Sequence, residues 1–244
     1  MKLSTITLLL AGVLCLSTAL IKPKNFFKII EKQFQFVPSG KTVVEKDTLS
    51  LQAFKMLDHE VTNLEYRTFL TDIETKEPEL LSKLQIDKEG WVKRFPEGYV
   101  KPMDKLYYTH EAYNDYPVVN ISQFAAKEYC KWLTSKLNEN KSKEEQIIVR
   151  LPKRSEFIRA GAGSNYNYQY AWGNNYLTNS EGKFLCNFTR IPYANMSRGE
   201  NGKLIIKNGR PELDHMSDGT MYMAKVKSYY PSEFELYNLN GNVA

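Results

Sequence analysis

His59–Leu70 reads HEVTNLEYRTFL, and the fold is legible from this stretch outward. Thr62 and Glu65 stand in the S/T-x-x-E relation, in which the hydroxyl and the carboxylate each accept a backbone N–H that the first helical turn leaves over. Leu64, Tyr66, Phe69 and Leu70 follow as apolar partners, so a helix begins at residue 63. A second helix is expected in NISQFAAKEYCKWLTSKL, with Ser122 as its cap and Ala126, Tyr129, Cys130, Leu133 and Leu137 repeating at helical spacing as one buried face. A third follows IIVRLP, an apolar strand-like run; it begins near Pro152 and stops at Gly161 and Gly163.

The segment between Thr71 and Asn114 is charged and punctuated by Pro, with no sustained period, and reads as a long surface excursion. Beyond Gly163 the chain is rich in turn residues, with short strand candidates at Lys203–Ile206 and Met221–Val226. Helices early and irregular loops late predict an α+β domain and exclude a doubly wound sheet. The 16 Tyr residues suit loops packed by amphipathic rings.

Composition narrows the function. The 244 residues carry a net charge of +5 spread along the chain, without the basic block that neutralising a phosphate backbone requires, so nucleic acid is not an expected partner. Three cysteines, one of them in the N-terminal apolar run, exclude a disulfide scaffold. Residues 1–19 read as an export signal, with Lys2 before an apolar stretch and Ser17-Thr18-Ala19 as a small-residue cleavage site. Retention as a membrane anchor stays open, because a spanning helix needs roughly 20 apolar residues. Lipid attachment at Cys15 is a third option, although Leu14 is not the small residue that chemistry prefers. Lys22, Lys24 and Lys28 oppose export, since positive charge after an apolar run favours the cytoplasmic side. Export to the periplasm, the cell envelope or the medium is the expected localisation. Residues 20–35 are a lead-in, and residues 36–244 form the domain.

Several pieces in this order resemble the formylglycine-generating enzyme family, also called sulfatase-modifying factors: HEVTNLEYRTFL, YPVVNISQFAAKEYCKWL, VRLPKRSEFIRAGAG, YAWGNN, CNF, DGT and the terminal LYNLNGNVA. The resemblance implies a loop-rich variant of the C-type lectin fold, incomplete at its C-terminus. Two departures mark a divergent member. Lys153 stands where the family has a capping Thr, and Ala125 stands where an acidic residue would complete a capping box with Ser122. YYTHEAYNDYPVV, residues 107–119, is most similar to the branch of gliding-motility lipoproteins of the cell envelope.

The resemblance also implies two calcium positions. One takes the side chain of Asn238 and the backbone carbonyls of Gly241 and Val243; the family's carboxylate ligand would lie just beyond Ala244. The other takes the side chains of Asn187 and Asp218 and the carbonyls of Phe188 and Thr220. Calcium accepts six to eight hard oxygens, and a turn with Gly241 between Asn240 and Asn242 can aim carbonyls inward. The bland alternative is that Asn187 and Asp218 only satisfy loop backbone groups.

Family members oxidise a sulfatase cysteine with oxygen and a copper ion held by two thiolates, and the resemblance places those cysteines downstream of the GNV turn. Copper is therefore expected only if the chain continues, and Cys130 and Cys186 match other positions. His59, His110 and His215 are isolated in sequence and read as solvent-facing or hydrogen-bonded structure; no HExxH, nucleophile elbow or P-loop occurs. Sequons at Asn120, Asn140, Asn187 and Asn195 are meaningful only in a eukaryotic secretory route.

Two functions from different classes follow. One is an exported, non-catalytic, calcium-stabilised module that binds or scaffolds an envelope protein or a glycan, the latter through Tyr residues and Trp172. The other is the N-terminal part of a copper-dependent oxidase that acts on a sulfatase peptide.

Overall fold

Thr62 starts the first long helix as its spacing predicts. Its Oγ1 accepts the Glu65 N–H at 3.2 Å, and Glu65 Oε2 accepts the Thr62 N–H at 2.7 Å. The computed structural model describes residues 23–94, 102–164, 168–188, 196–206, 219–220 and 222–243. Helix α1 (Pro23–Lys32) leads into four short strands, β1 (Phe34–Val37), β2 (Gly40–Val44), β3 (Asp47–Leu51) and β4 (Phe54–Leu57). β2 and β3 form a hairpin nested between β1 and β4, which pair antiparallel from Phe34 opposite Leu57 to Val37 opposite Phe54. Then follow α2 (Asn63–Lys76), α3 (Pro78–Leu81), α4 (Gly90–Arg94), α5 (Met103–Thr109), α6 (Gln123–Asn138) and α7 (Arg154–Ala162), with a last pair of strands, β5 (Met196–Arg198) and β6 (Leu204–Ile206). The architecture is α+β.

α2 stops where Pro78 prevents the chain from donating the next helical hydrogen bond. Its inner face sets Tyr66, Phe69 and Ile73 against Ala125, Tyr129, Trp132, Leu133 and Leu137 of α6, and Ile30 of α1 closes the cluster. Phe69 lies edge-on to Tyr129, with ring centres 5.6 Å apart, and 5.3 Å from Trp132. The buried face of α6 is thus rotated slightly from its expected position. Ala125 is fully buried, whereas Ala126 and Cys130 are half-buried.

The stretch from Thr71 to Asn114 is not a surface excursion. Its described residues complete α2, form α3, α4 and α5, and supply Trp91, Tyr107 and Tyr108 to a second core, packed by Tyr113, Tyr116 and Tyr222. Aromatic rings at irregular spacing gave no period because two short helices, α4 and α5, and the turn after α5 share the burial. Asn63 ties this core to α2 by donating its side-chain amide to the carbonyls of Tyr107 and Tyr113. IIVRLP is not a strand either, and Ile148 is 84% exposed. Instead Thr134 of α6 fastens it, its Oγ1 accepting the Val149 N–H at 2.9 Å. Of the late strand candidates, Leu204–Ile206 forms β6, whereas the described residues of Met221–Val226 form no strand.

At α7, Lys153 offers no oxygen to cap the helix, and the Glu156 carboxylate accepts its N–H at 2.7 Å instead. Ser122 caps α6 through its Oγ, 3.1 Å from the Ala125 nitrogen, and Ala125 returns no bond. A third cluster, Val37, Ala160 and Leu236, seats the C-terminal loop against β1 and α7. No helix among the described residues is long and apolar enough to cross a membrane.

Candidate metal centre

Leu236 anchors the last turn and is 1% exposed. Beside it the Tyr237 N–H donates to the Asp58 carbonyl at 2.8 Å, joining the C-terminal loop to the end of β4. Asn238, Gly241 and Asn242 all have positive φ, at 51°, 87° and 64°. Asn tolerates this left-handed backbone, and Gly meets no Cβ penalty there. At Gly241 the requirement is steric as well, since a Cβ would stand 2.2 Å from the Asn187 carbonyl oxygen. That oxygen accepts the Asn242 N–H at 2.8 Å. The Asn187 loop therefore lies on the Gly241 turn, which brings together residues that the resemblance assigns to different calcium positions.

Three acceptors surround the Asn238 Nδ2: Glu60 Oε2 at 3.1 Å, the Val226 carbonyl at 3.0 Å and the Lys225 carbonyl at 3.3 Å. They fix which end of the amide is nitrogen, because only N–H groups can meet three acceptors. The Asn238 Oδ1 faces the other way and is buried, with no hydrogen-bond partner among the described residues. An amide oxygen so placed, in a turn whose glycine can turn its carbonyl inward, fits a hard cation. Asn242 is satisfied at both ends: its Oδ1 accepts from the Ala224 nitrogen at 2.8 Å and from Asn187 Nδ2 at 3.2 Å, and its Nδ2 donates to Glu60 Oε1 at 2.8 Å. Asn187 also donates to the Tyr222 carbonyl at 2.8 Å. Phe188 packs edge-on against Phe184, and Thr220 is half-buried. Asp218 lies outside the described residues, as does His215.

Glu60 and Asn242 were not singled out in the sequence. Their roles come from contacts between distant segments, although Glu60 stands directly before the cap region of α2. His59 is also not isolated in space. Its Nδ1 is 2.5 Å from Asp58 Oδ1, its Nε2 is 3.4 Å from Glu65 Oε1, and Lys227 Nζ reaches Asp58 Oδ2 at 2.7 Å. Burial disfavours the imidazolium, but the Glu65 and Asp58 carboxylates together outweigh it and raise the His59 pKa. At Glu60 burial acts in the other direction and raises the pKa, against the donors from Asn242 and Asn238. His110 is structural: its Nδ1 accepts the Ala112 N–H at 3.1 Å.

Cys130 lies on α6, with its thiol pKa raised by burial, while Cys186 is buried in the loop before Asn187; no disulfide joins them. A thiolate pair for cuprous copper needs two deprotonated sulfurs together, and burial works against deprotonation at Cys130. Among the described residues no three His, Cys, Asp or Glu side chains gather as metal ligands.

A family profile described as "Sulfatase-modifying factor enzyme 1-like domain" matches residues 30–244. The chain belongs to the sulfatase-modifying factor family. It is also similar to a formylglycine-generating enzyme of Streptomyces coelicolor, with 30% identity over 130 residues. That alignment covers 53% of this chain and 31% of the relative, so the chain spans about a third of that enzyme's length. The family match takes in the whole candidate centre, from Glu60 to Val243.

Proposed function

We propose that this chain is a calcium-stabilised module of the sulfatase-modifying factor family, with the loop-rich C-type-lectin-like fold, that binds or scaffolds a protein or glycan partner at the cell envelope. The observation that carries the calcium reading is the buried, unpartnered Oδ1 of Asn238. Leaving such an acceptor unsatisfied costs about 1–3 kcal/mol, and a cation bound there removes that cost. The Gly241 and Val243 carbonyls complete one position; Asn187, Phe188, Asp218 and Thr220 supply the other. Calcium bound at one site at a hundred times its Kd stabilises the fold by about 2.7 kcal/mol. Thermal unfolding in calcium chloride and in chelator tests this, and equal midpoints in the two would defeat it. Export and envelope attachment rest on the reading of residues 1–19 and the character of residues 107–119. The module reading assigns no catalytic residue.

A second reading is favoured by the similarity to the Streptomyces coelicolor enzyme. In it, these residues are part of a copper-dependent oxidase that converts a sulfatase cysteine to formylglycine. Incubation with copper, oxygen and a sulfatase peptide, followed by aldehyde detection, separates the two readings.

A further inference from the structure

We propose that Glu60 is the positioning residue of the Asn238 cation site, supplying from behind the amides the negative charge that the turn's own oxygens lack. The inference rests on the calcium reading above. Glu60 is half-buried, and its two carboxylate oxygens are divided between two asparagines: Oε2 accepts from Asn238 Nδ2 at 3.1 Å and Oε1 from Asn242 Nδ2 at 2.8 Å.

The consequences differ at the two partners. At Asn238, a carboxylate on the N–H end polarises the amide and makes Oδ1 a better donor of electron density to a cation, as the outer partners of metal ligands do. The Lys225 and Val226 carbonyls hold the same nitrogen, so orientation does not depend on Glu60 alone. What Glu60 adds is charge. At Asn242 the same carboxylate holds an amide whose Oδ1 receives Asn187 Nδ2 at 3.2 Å. Glu60 therefore braces the neighbouring Asn187 loop as well.

A carboxylate kept only to hold the loops would show its effect with or without metal. Glu60→Gln keeps the shape and one accepting oxygen but removes the charge, and the two backbone carbonyls still hold Asn238. Calcium chloride titrated into the full chain by calorimetry should bind about 10–100-fold more weakly to E60Q than to the unmutated protein. In chelator E60Q should unfold somewhat lower, because its amide nitrogen faces one of the two Asn amide nitrogens and one hydrogen bond is lost, so the calcium affinity and not the metal-free stability carries the test. Equal calcium affinity in the two proteins overturns this inference and leaves the calcium reading standing. No calcium binding by the unmutated protein overturns both. If E60Q does not fold, carbon-detected resonance of the Glu60 carboxylate in the unmutated chain decides: a shift on adding calcium supports the assignment, and a static resonance overturns it.

Discussion

The carbonyl oxygen of Asn187 and the N–H of Asn242 meet at 2.8 Å, and that bond presses the Gly241 turn onto a loop more than fifty residues away. Gly241→Ala should therefore be among the most damaging changes to this region. It combines a positive φ with a Cβ 2.2 Å from backbone, where no flexible side chain can yield. We expect a loss above about 2 kcal/mol in urea unfolding. Gly182→Ala is the control, since its φ is also positive but nothing lies within 4 Å of the added Cβ. It should cost about 1 kcal/mol. Equal losses at the two sites would mean that the turn is not pressed against Asn187.

Arg150 grips Glu156 with two bonds, Nη1 to Oε2 at 2.8 Å and Nη2 to Oε1 at 2.6 Å. This guanidinium, helped by the Lys153 N–H, lowers the Glu156 pKa to about 2. The folded value lies below the unfolded one, so the stabilisation is present above pH ~4.5 and is lost as the pH falls toward 2. Arg150 is half exposed to screening solvent, which leaves about 2 kcal/mol at neutral pH. Glu156→Gln should lose that amount at pH 7 and almost nothing near pH 2. A difference that persists undiminished in acid would count against the ion pair.

For His59 the sign is opposite. Its folded pKa lies above the ordinary 6.5, so the stabilisation from Asp58 and Glu65 is full below that value and fades as the pH rises through the folded one. An NMR titration of the His59 ring should give a midpoint above 6.5. His59→Gln should be more destabilising at pH 6 than at pH 9. A midpoint below 6.5 would show that desolvation outweighs the two carboxylates.

Trp91 distinguishes a second core from a surface excursion. It is 2% exposed, with its ring 5.0 Å from that of Tyr107 and its Nε1 3.0 Å from the Tyr108 hydroxyl. Trp91→Ala should cost about 3–5 kcal/mol in chemical unfolding, as for large-to-small changes in cores. A residue on an exposed loop would lose less than about 0.5 kcal/mol, and that result would remove the second core.

What the sequence by itself determined were features complete within one turn of backbone. The Thr62–Glu65 cap, the Ser122 cap without a return bond from Ala125, and the stop at Gly163, though not at Gly161, through which α7 runs, all use residues at most four apart, so spacing is enough to read them. The turn around Gly241, between Asn240 and Asn242, was legible for the same reason, as Asn and Gly tolerate the left-handed backbone that Gly241 and Asn242 adopt. Tertiary structure alone decided which groups face each other across the chain. Glu60 meets Asn242 at a separation of 182 residues, Lys227 meets Asp58 at 169, and rings scattered through the helices around Trp91 share a core with Tyr222. The difference is physical: a local hydrogen bond depends on backbone geometry that neighbouring residues impose, whereas burial and charge pairing depend on packing the whole chain imposes.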